Sequence, residues 1–236
     1  MTAAVLYAAT FAIAWPLYEY FVDWPRFQRS LKQDAGRARI REYRSTMVRQ
    51  WLLAGAGAVL WLRAGRQWVE LGVHAPDGWR AWAAVAGVAA LSALYAQQAA
   101  TLARSQSARR RVRQSLTALE PLLPHTATEF TWLLGVSFTA GVCEEFLYRG
   151  YFVAAFAPYL GWWPACLLAV PLFGLLHAYQ GRKGVVRTGV VGLVMTLVVA
   201  LTRSLFPAMV LHVIVDVGGG LVTWIALREA TPEIDE

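Results

Sequence analysis

Charge is scarce in this 236-residue chain: Asp, Glu, Lys and Arg together make 16% of it, where a soluble domain carries about 25%. Cysteine is scarcer, at two residues, and histidine numbers four. Two cysteines exclude a disulfide scaffold, and both Cys143 and Cys166 sit in apolar runs, where each reads as a small buried hydrophobe. The lack of charge, with 57% hydrophobic residues, excludes disorder and an ordinary soluble enzyme. Mean hydropathy is +0.42. The solvent this composition suits is lipid.

The charge that remains is unevenly spread. Residues 1–114 hold 16 basic and 6 acidic residues, a net of +10, and residues 115–236 hold 6 basic and 9 acidic, a net of −3. The basic runs, Arg26–Arg49 and Arg104–Arg113, lie between apolar stretches. That placement fits cytoplasmic loops under the positive-inside rule, with anionic lipid as their natural partner, and not a nucleic-acid-binding face.

Apolar stretches at 1–22, 50–62, 81–103, 126–148, 162–178, 188–202 and 204–227 predict seven spans, with an eighth if 150–160 crosses. The expected fold is all-α, a multi-pass transmembrane helical bundle of seven to eight spans. The first stretch lacks the basic start and cleavage site of a secretory signal, so it reads as a retained helix. Segment 26–49 reads as a loop with helical character. Character changes near residue 115, dividing the chain into an anchoring part, 1–114, and a part holding the unusual residues, 115–236, which ends in the short acidic tail 229–236.

Those unusual residues are Glu144, Glu145, Arg149, His177, His212 and Asp216. An ionised side chain at mid-bilayer costs about 2.5–3.5 kcal/mol on insertion scales, so such groups need partners or a task. Glu145 and Arg149, Phe173 and His177, and His212 and Asp216 are each four apart, one helix face apiece. Singly, each pair has a plain structural explanation: a buried ion pair, an interfacial histidine, an intrahelical hydrogen bond. Together they place three acids and two imidazoles on the least charged part of the chain. A carboxylate and an imidazole can deprotonate a water molecule, and a second imidazole can donate to an oxyanion, which is a set for amide hydrolysis without a covalent intermediate. No G-x-S-x-G elbow is present. Two Glu, two His and an Asp also suit zinc, but the H-E-x-x-H spacing is absent. His74 and His125 fall outside the set and receive no role.

In chain order stand Glu144-Glu145-x-x-x-Arg149, Phe173-x-x-x-His177 and His212-x-x-x-Asp216. This resembles the CPBP family, the CAAX proteases and bacteriocin-processing proteins, glutamic-type intramembrane endopeptidases with E-E-x-x-x-R, F-x-x-x-H and H-x-x-x-N/D motifs. The resemblance covers about residues 126–228. It implies that Glu144 with His177 activates the attacking water, that His212 and Asp216 line the oxyanion site, that Glu145 and Arg149 hold the first motif in shape, and that Phe173 packs the site. It implies no metal and no cofactor. The prenyl-protein-processing branch has Asn where this chain has Asp216. An ionised Asp cannot donate to an oxyanion, so Asp216 is either protonated or orients His212.

The expected function is therefore an intramembrane endopeptidase acting on a membrane-associated protein or peptide, as in protein maturation or C-terminal sorting, in a prokaryotic plasma membrane. Its rivals are a non-catalytic immunity protein of the same family and a proton-coupled transporter using the same charges as a relay. The topology carries one difficulty. Were 126–148 and 162–178 successive antiparallel spans, Glu144 and His177 would lie on opposite sides, roughly 25–30 Å apart. A hairpin over 150–178 that rises and returns resolves it.

Overall fold

The computed structural model describes residues 3–116 and 120–228, and the acidic tail 229–236 lies outside them. Ten α-helices make up the described chain: α1 (Ala3–Tyr18), α2 (Trp24–Leu31), α3 (Ala35–Arg63), α4 (Gly78–Arg104), α5 (Gln106–Ser115), α6 (Ala127–Glu145), α7 (Val153–Leu160), α8 (Trp162–Leu176), α9 (Gly181–Thr202) and α10 (Leu205–Leu227). No strand occurs among the described residues. The expected multi-pass helical bundle is the architecture found.

Among the described residues, five helices are long and apolar enough to cross a membrane: Ala3–Leu31, Gly78–Arg104, Ala127–Leu160, Ala178–Thr202 and Leu205–Leu227. The span expected at 50–62 lies inside α3, and the one expected at 162–178 is the shorter apolar helix α8 with two residues beyond its end. Segment 150–160 is not a crossing of its own. It is the top of the 34-residue helix Ala127–Leu160, in which α6 and α7 are joined through a π-helical segment, Phe146–Phe152, all seven residues buried. Segment 26–49, expected as a loop of helical character, is wound into α2 and the first half of α3.

Large apolar side chains face outwards, Trp82 at 76% exposure and Phe21 and Leu52 at 68%. In water such a belt would be a liability, whereas lipid solvates it. Trp61, Tyr151, Phe152 and Phe173 form the inner core with Phe11 and Cys143. Cys143 and Cys166 are buried free thiols, as their apolar context predicts.

Helix α6 lies between α3 and α10, α10 also packs on α4, and α8 packs on α7 and α9. The close approach of α6 to α10 depends on Gly141. A Cβ there would stand 2.5 Å from Val213 Cγ2 and 2.9 Å from the Met209 carbonyl oxygen. Helices α3 and α6 run side by side in the same direction. Arg39 Nε meets Glu129 Oε2 at 3.0 Å, Trp51 Nε1 donates to Thr139 Oγ1 at 3.2 Å, and Gln50 meets Glu144, so position n of α3 stands beside about n + 90 of α6.

The depth difficulty is answered by the hairpin. Helix α7 rises to Leu160, Gly161 takes φ +85, a left-handed value open to glycine, and α8 returns beside α7. Glu144 is 16 residues before Leu160 and His177 is 16 after Gly161. At about 1.5 Å per residue both lie about 24 Å from the turn, at one depth.

Candidate active site

Three helices bring the polar residues to one cavity of about 480 Å³, whose walls include Glu144, His177, His212 and Asp216, with Phe173 beside them. Glu144 ends α6, His177 closes α8, and His212 and Asp216 lie on successive turns of α10. Three separate elements thus converge, and each sequence-predicted residue either lines the cavity or touches one that does.

Glu145 is fully buried and organises its surroundings. Its Oε1 accepts from Arg149 Nη1 at 3.0 Å and from His212 Nδ1 at 2.8 Å. A carboxylate carries no proton when it pairs with a guanidinium, so Nδ1 of His212 carries one. The Nε2 of the same ring then points to the reacting groups, 3.9 Å from Glu144 Oε2 and 3.8 Å from Asp216 Oδ2. Both distances exceed a direct hydrogen bond.

Arg149 is held on three sides. Besides Glu145, its Nη2 donates to the Gly192 carbonyl at 2.9 Å, and its guanidinium lies 4.1 Å from the Phe173 ring centroid. Phe173 also faces His177 and His212, with ring centroids 5.4 and 6.1 Å away. Gly192 makes this layer possible, because a Cβ there would stand 2.8 Å from Arg149 Nη2 and 2.9 Å from Phe173 Cδ1.

At His177, Nδ1 lies 3.2 Å from the Phe173 carbonyl oxygen. A carbonyl only accepts, so Nδ1 carries the proton and Nε2 is the ring's free nitrogen. Glu144 is 6% exposed. Its Oε1 accepts from Gln50 Nε2 at 2.7 Å, whereas Oε2 has no hydrogen-bond partner. One carboxylate oxygen is anchored and the other is available.

Gln50 is the residue that sequence reasoning missed. It opens the apolar stretch of α3, in the half of the chain expected only to anchor, and a neutral amide at a helix-span boundary carries no sequence signal of its own. The first half supplies further walls of the cavity, including Trp15, Glu19, Asp23, Trp24, Glu42 and Thr46. His74 and His125 lie away from it.

Among the described residues, one group of acids is close enough to gather round a single ion: Glu19, Asp23 and Glu42, whose ligand atoms lie within 4.8 Å of one another. Arg49 Nη2 already stands at that point, 3.3, 2.7 and 3.0 Å from the three carboxylates. A resident protein cation fits this group better than a metal does.

Residues 126–218 match the family described as type II CAAX prenyl endopeptidase Rce1-like. The match includes all three motifs and bears out the resemblance read from them. No curated protein and no solved structure matches the chain.

Proposed function

We propose that this integral membrane protein, whose residues 126–218 match the type II CAAX prenyl endopeptidase family model, is a glutamic-type endopeptidase that cleaves a membrane-associated protein or peptide by direct attack of water. The observation that carries the reading is the free Oε2 of Glu144 in a cavity shared with His177, His212 and Asp216. Residues 115–236 supply the reacting groups and residues 1–114 anchor the chain, adding Gln50 to the site. A prokaryotic plasma membrane is the setting that suits it.

Water held between Glu144 Oε2 and His177 Nε2 gives a proton to Glu144 as its oxygen attacks the scissile carbonyl. The carbonyl oxygen becomes an oxyanion, and His212, an imidazolium protonated on both ring nitrogens between Glu145 and Asp216, donates its Nε2–H to it. Glu145 holds His212 in the required orientation through Nδ1. Collapse of the tetrahedral intermediate breaks the C–N bond, and the proton on Glu144 passes to the leaving amine. Asp216, an acceptor when ionised, polarises His212 from the other side of Nε2 and does not itself bind the oxyanion. This chemistry needs no metal.

The test is Glu144→Ala and His177→Ala in purified protein in nanodiscs, with a quenched-fluorescent reporter peptide. Positioned acid–base groups contribute about 10²–10⁴-fold, so each variant is expected to lose at least about 100-fold in turnover. Undiminished turnover in both variants refutes the reading. Chelator treatment is expected to leave the wild-type rate unchanged. A loss that zinc restores would replace water activation by Glu144 with metal hydrolysis.

A further inference from the structure

His212 and His177 are held by different means. The Nδ1 of His212 is fixed on Glu145, but the ring of His177 makes one hydrogen bond among the described residues, from Nδ1 to the Phe173 carbonyl four residues earlier. A ring held at one point can pivot about that bond. His177 also closes α8, with φ −101 and ψ 22, so no further helical turn confines it. Other rings do. Phe173 and Tyr179 lie against it with centroids 5.4 and 6.0 Å away, and Trp24 lies 5.2 Å from Tyr179. All three pairs fall within the range of favourable aromatic contact, about 4.5–7 Å. A column of rings thus runs from Trp24 on α2 to His177, and it continues through Phe173 to His212 at 6.1 Å.

The outer end of the column is anchored in the first half of the chain. Tyr179 sits in a three-residue 3-10 turn, Ala178–Gln180, between α8 and α9. That turn packs against a π-helical turn, Glu19–Asp23, which leads directly into Trp24 and α2. Arg49 Nη2 ties the π-helical turn to α3, standing 3.3 Å from Glu19, 2.7 Å from Asp23 and 3.0 Å from Glu42 of its own helix. The acid cluster therefore has its occupant, and its consequence is the placement of Trp24, the residue after Asp23. Trp24 and Tyr179 both line the cavity that holds His177.

We infer that Trp24 and Tyr179 are positioning residues for His177, their rings holding the imidazole so that Nε2 keeps its aim at the water activated by Glu144. The ring of Tyr179 carries this role, not its hydroxyl, which accepts from Gln180 Nε2 at 3.2 Å. Reacting groups have to be held within about 0.5 Å and about 10–20° of the productive geometry, and packing supplies that hold where hydrogen bonds are few. The inference rests on the protease reading for the task of His177, and on the ring contacts alone for its placement.

The test uses the full-length protein in nanodiscs, first with the reporter peptide. Tyr179→Leu is expected to lower kcat about tenfold or more, since a misplacement of about 1 Å can cost about 100-fold, and to leave KM within about twofold. Trp24→Leu, one ring further out, is expected to lower kcat by about threefold to tenfold. Tyr179→Phe and Trp24→Phe keep the stack and are expected to stay within about threefold of wild type. Equal losses in the Phe and Leu variants overturn the inference, and so does a raised KM with kcat unchanged, which would make these rings a wall for substrate.

Nitrogen NMR on protein labelled with 15N-histidine decides the point without turnover. The His177 ring, assigned by its loss in His177→Gln, is expected as a single Nδ1–H tautomer in wild type, and an averaged pair of tautomers there overturns the inference with no variant needed. In Tyr179→Leu the His177 signals are expected to move toward that average while those of His212, fixed on Glu145, persist and report an intact fold. Unmoved His177 signals refute the inference. Should Tyr179→Leu fail to fold, Trp24→Leu and the wild-type spectrum decide. Should wild type cleave no peptide, the protease reading falls, and the same spectra still show whether the rings hold His177.

Discussion

His212 Nδ1 and Glu145 Oε1 stand 2.8 Å apart, joining residues 67 positions apart in sequence. The same oxygen receives Arg149. One atom therefore orients an imidazole through its Nδ1–H and neutralises a buried guanidinium, and these two tasks can be separated by substitution.

Glu145→Gln leaves Arg149 uncompensated in the core, and breaking a buried pair in this way costs about 3–5 kcal/mol. The double variant E145Q/R149M removes the stranded charge and is expected to recover most of the stability lost in thermal unfolding. It is not expected to recover turnover, because the neutral amide oxygen that replaces the carboxylate holds His212 Nδ1–H more weakly. Recovery of both together would show that Glu145 serves stability alone.

Gln50→Leu removes the donor that anchors Glu144 Oε1 at similar side-chain size. A hydrogen bond to a charged group contributes about 1.5–3 kcal/mol, so kcat is expected to fall by about tenfold to a hundredfold. Gln50→Glu sets a second carboxylate against Glu144 and is expected to be worse than Leu. Steady-state kinetics on the two variants checks the order.

Gly192→Ala drives a methyl group against Arg149 and Phe173, whereas at Gly189, three residues earlier on α9, a Cβ meets nothing within 4 Å. Over-packing of this kind costs about 1–3 kcal/mol. G192A is expected to lower both melting temperature and turnover, and G189A neither. Equal behaviour of the two would place no demand on the Arg149 layer.

Glu42 links pH to stability. Burial holds its carboxyl above the usual carboxylate range, the charge of Asp23 adds to the effect, and Arg49 opposes it. Glu19 and Asp23 face it from the turn after α1, and Arg49 from its own helix. A folded-state value raised above the unfolded one means that the native protein holds more protons, so this contribution to stability is full at low pH and is lost as pH rises through the folded value. Wild type is expected to lose melting temperature relative to Glu42→Gln as pH is raised from about 5 to about 8. A constant difference across that range would mean that Glu42 titrates normally.

Much of the candidate site was legible in sequence because membrane solvation makes ionisable residues conspicuous. Glu144, Glu145, Arg149, His212 and Asp216 stand out against an apolar background, and a four-residue spacing shows which of them share a helix face. Gln50 was not legible. It is neutral, and its role follows from the pairing of α3 with α6, which no local pattern encodes. Glu19, Asp23 and Glu42 were hidden for another reason: among the arginines of the basic half, acids read as ordinary loop charge, and only the packing of the first turn against α3 turns them inward.

The sequence by itself determined that the chain lives in lipid, that it is helical, and which few residues are held against the cost of removing charge from water. These are consequences of composition and of helical periodicity, both local properties. The tertiary structure decided the depth at which those residues meet. The turn at Gly161 returns α8 so that His177 reaches the level of Glu144, and Gly141 lets α10 approach closely enough for His212 to reach Glu145. It also decided that the two halves of the chain share one cavity. Convergence of this kind depends on where helices reverse and how nearly they touch, and those are set by packing between segments distant in sequence.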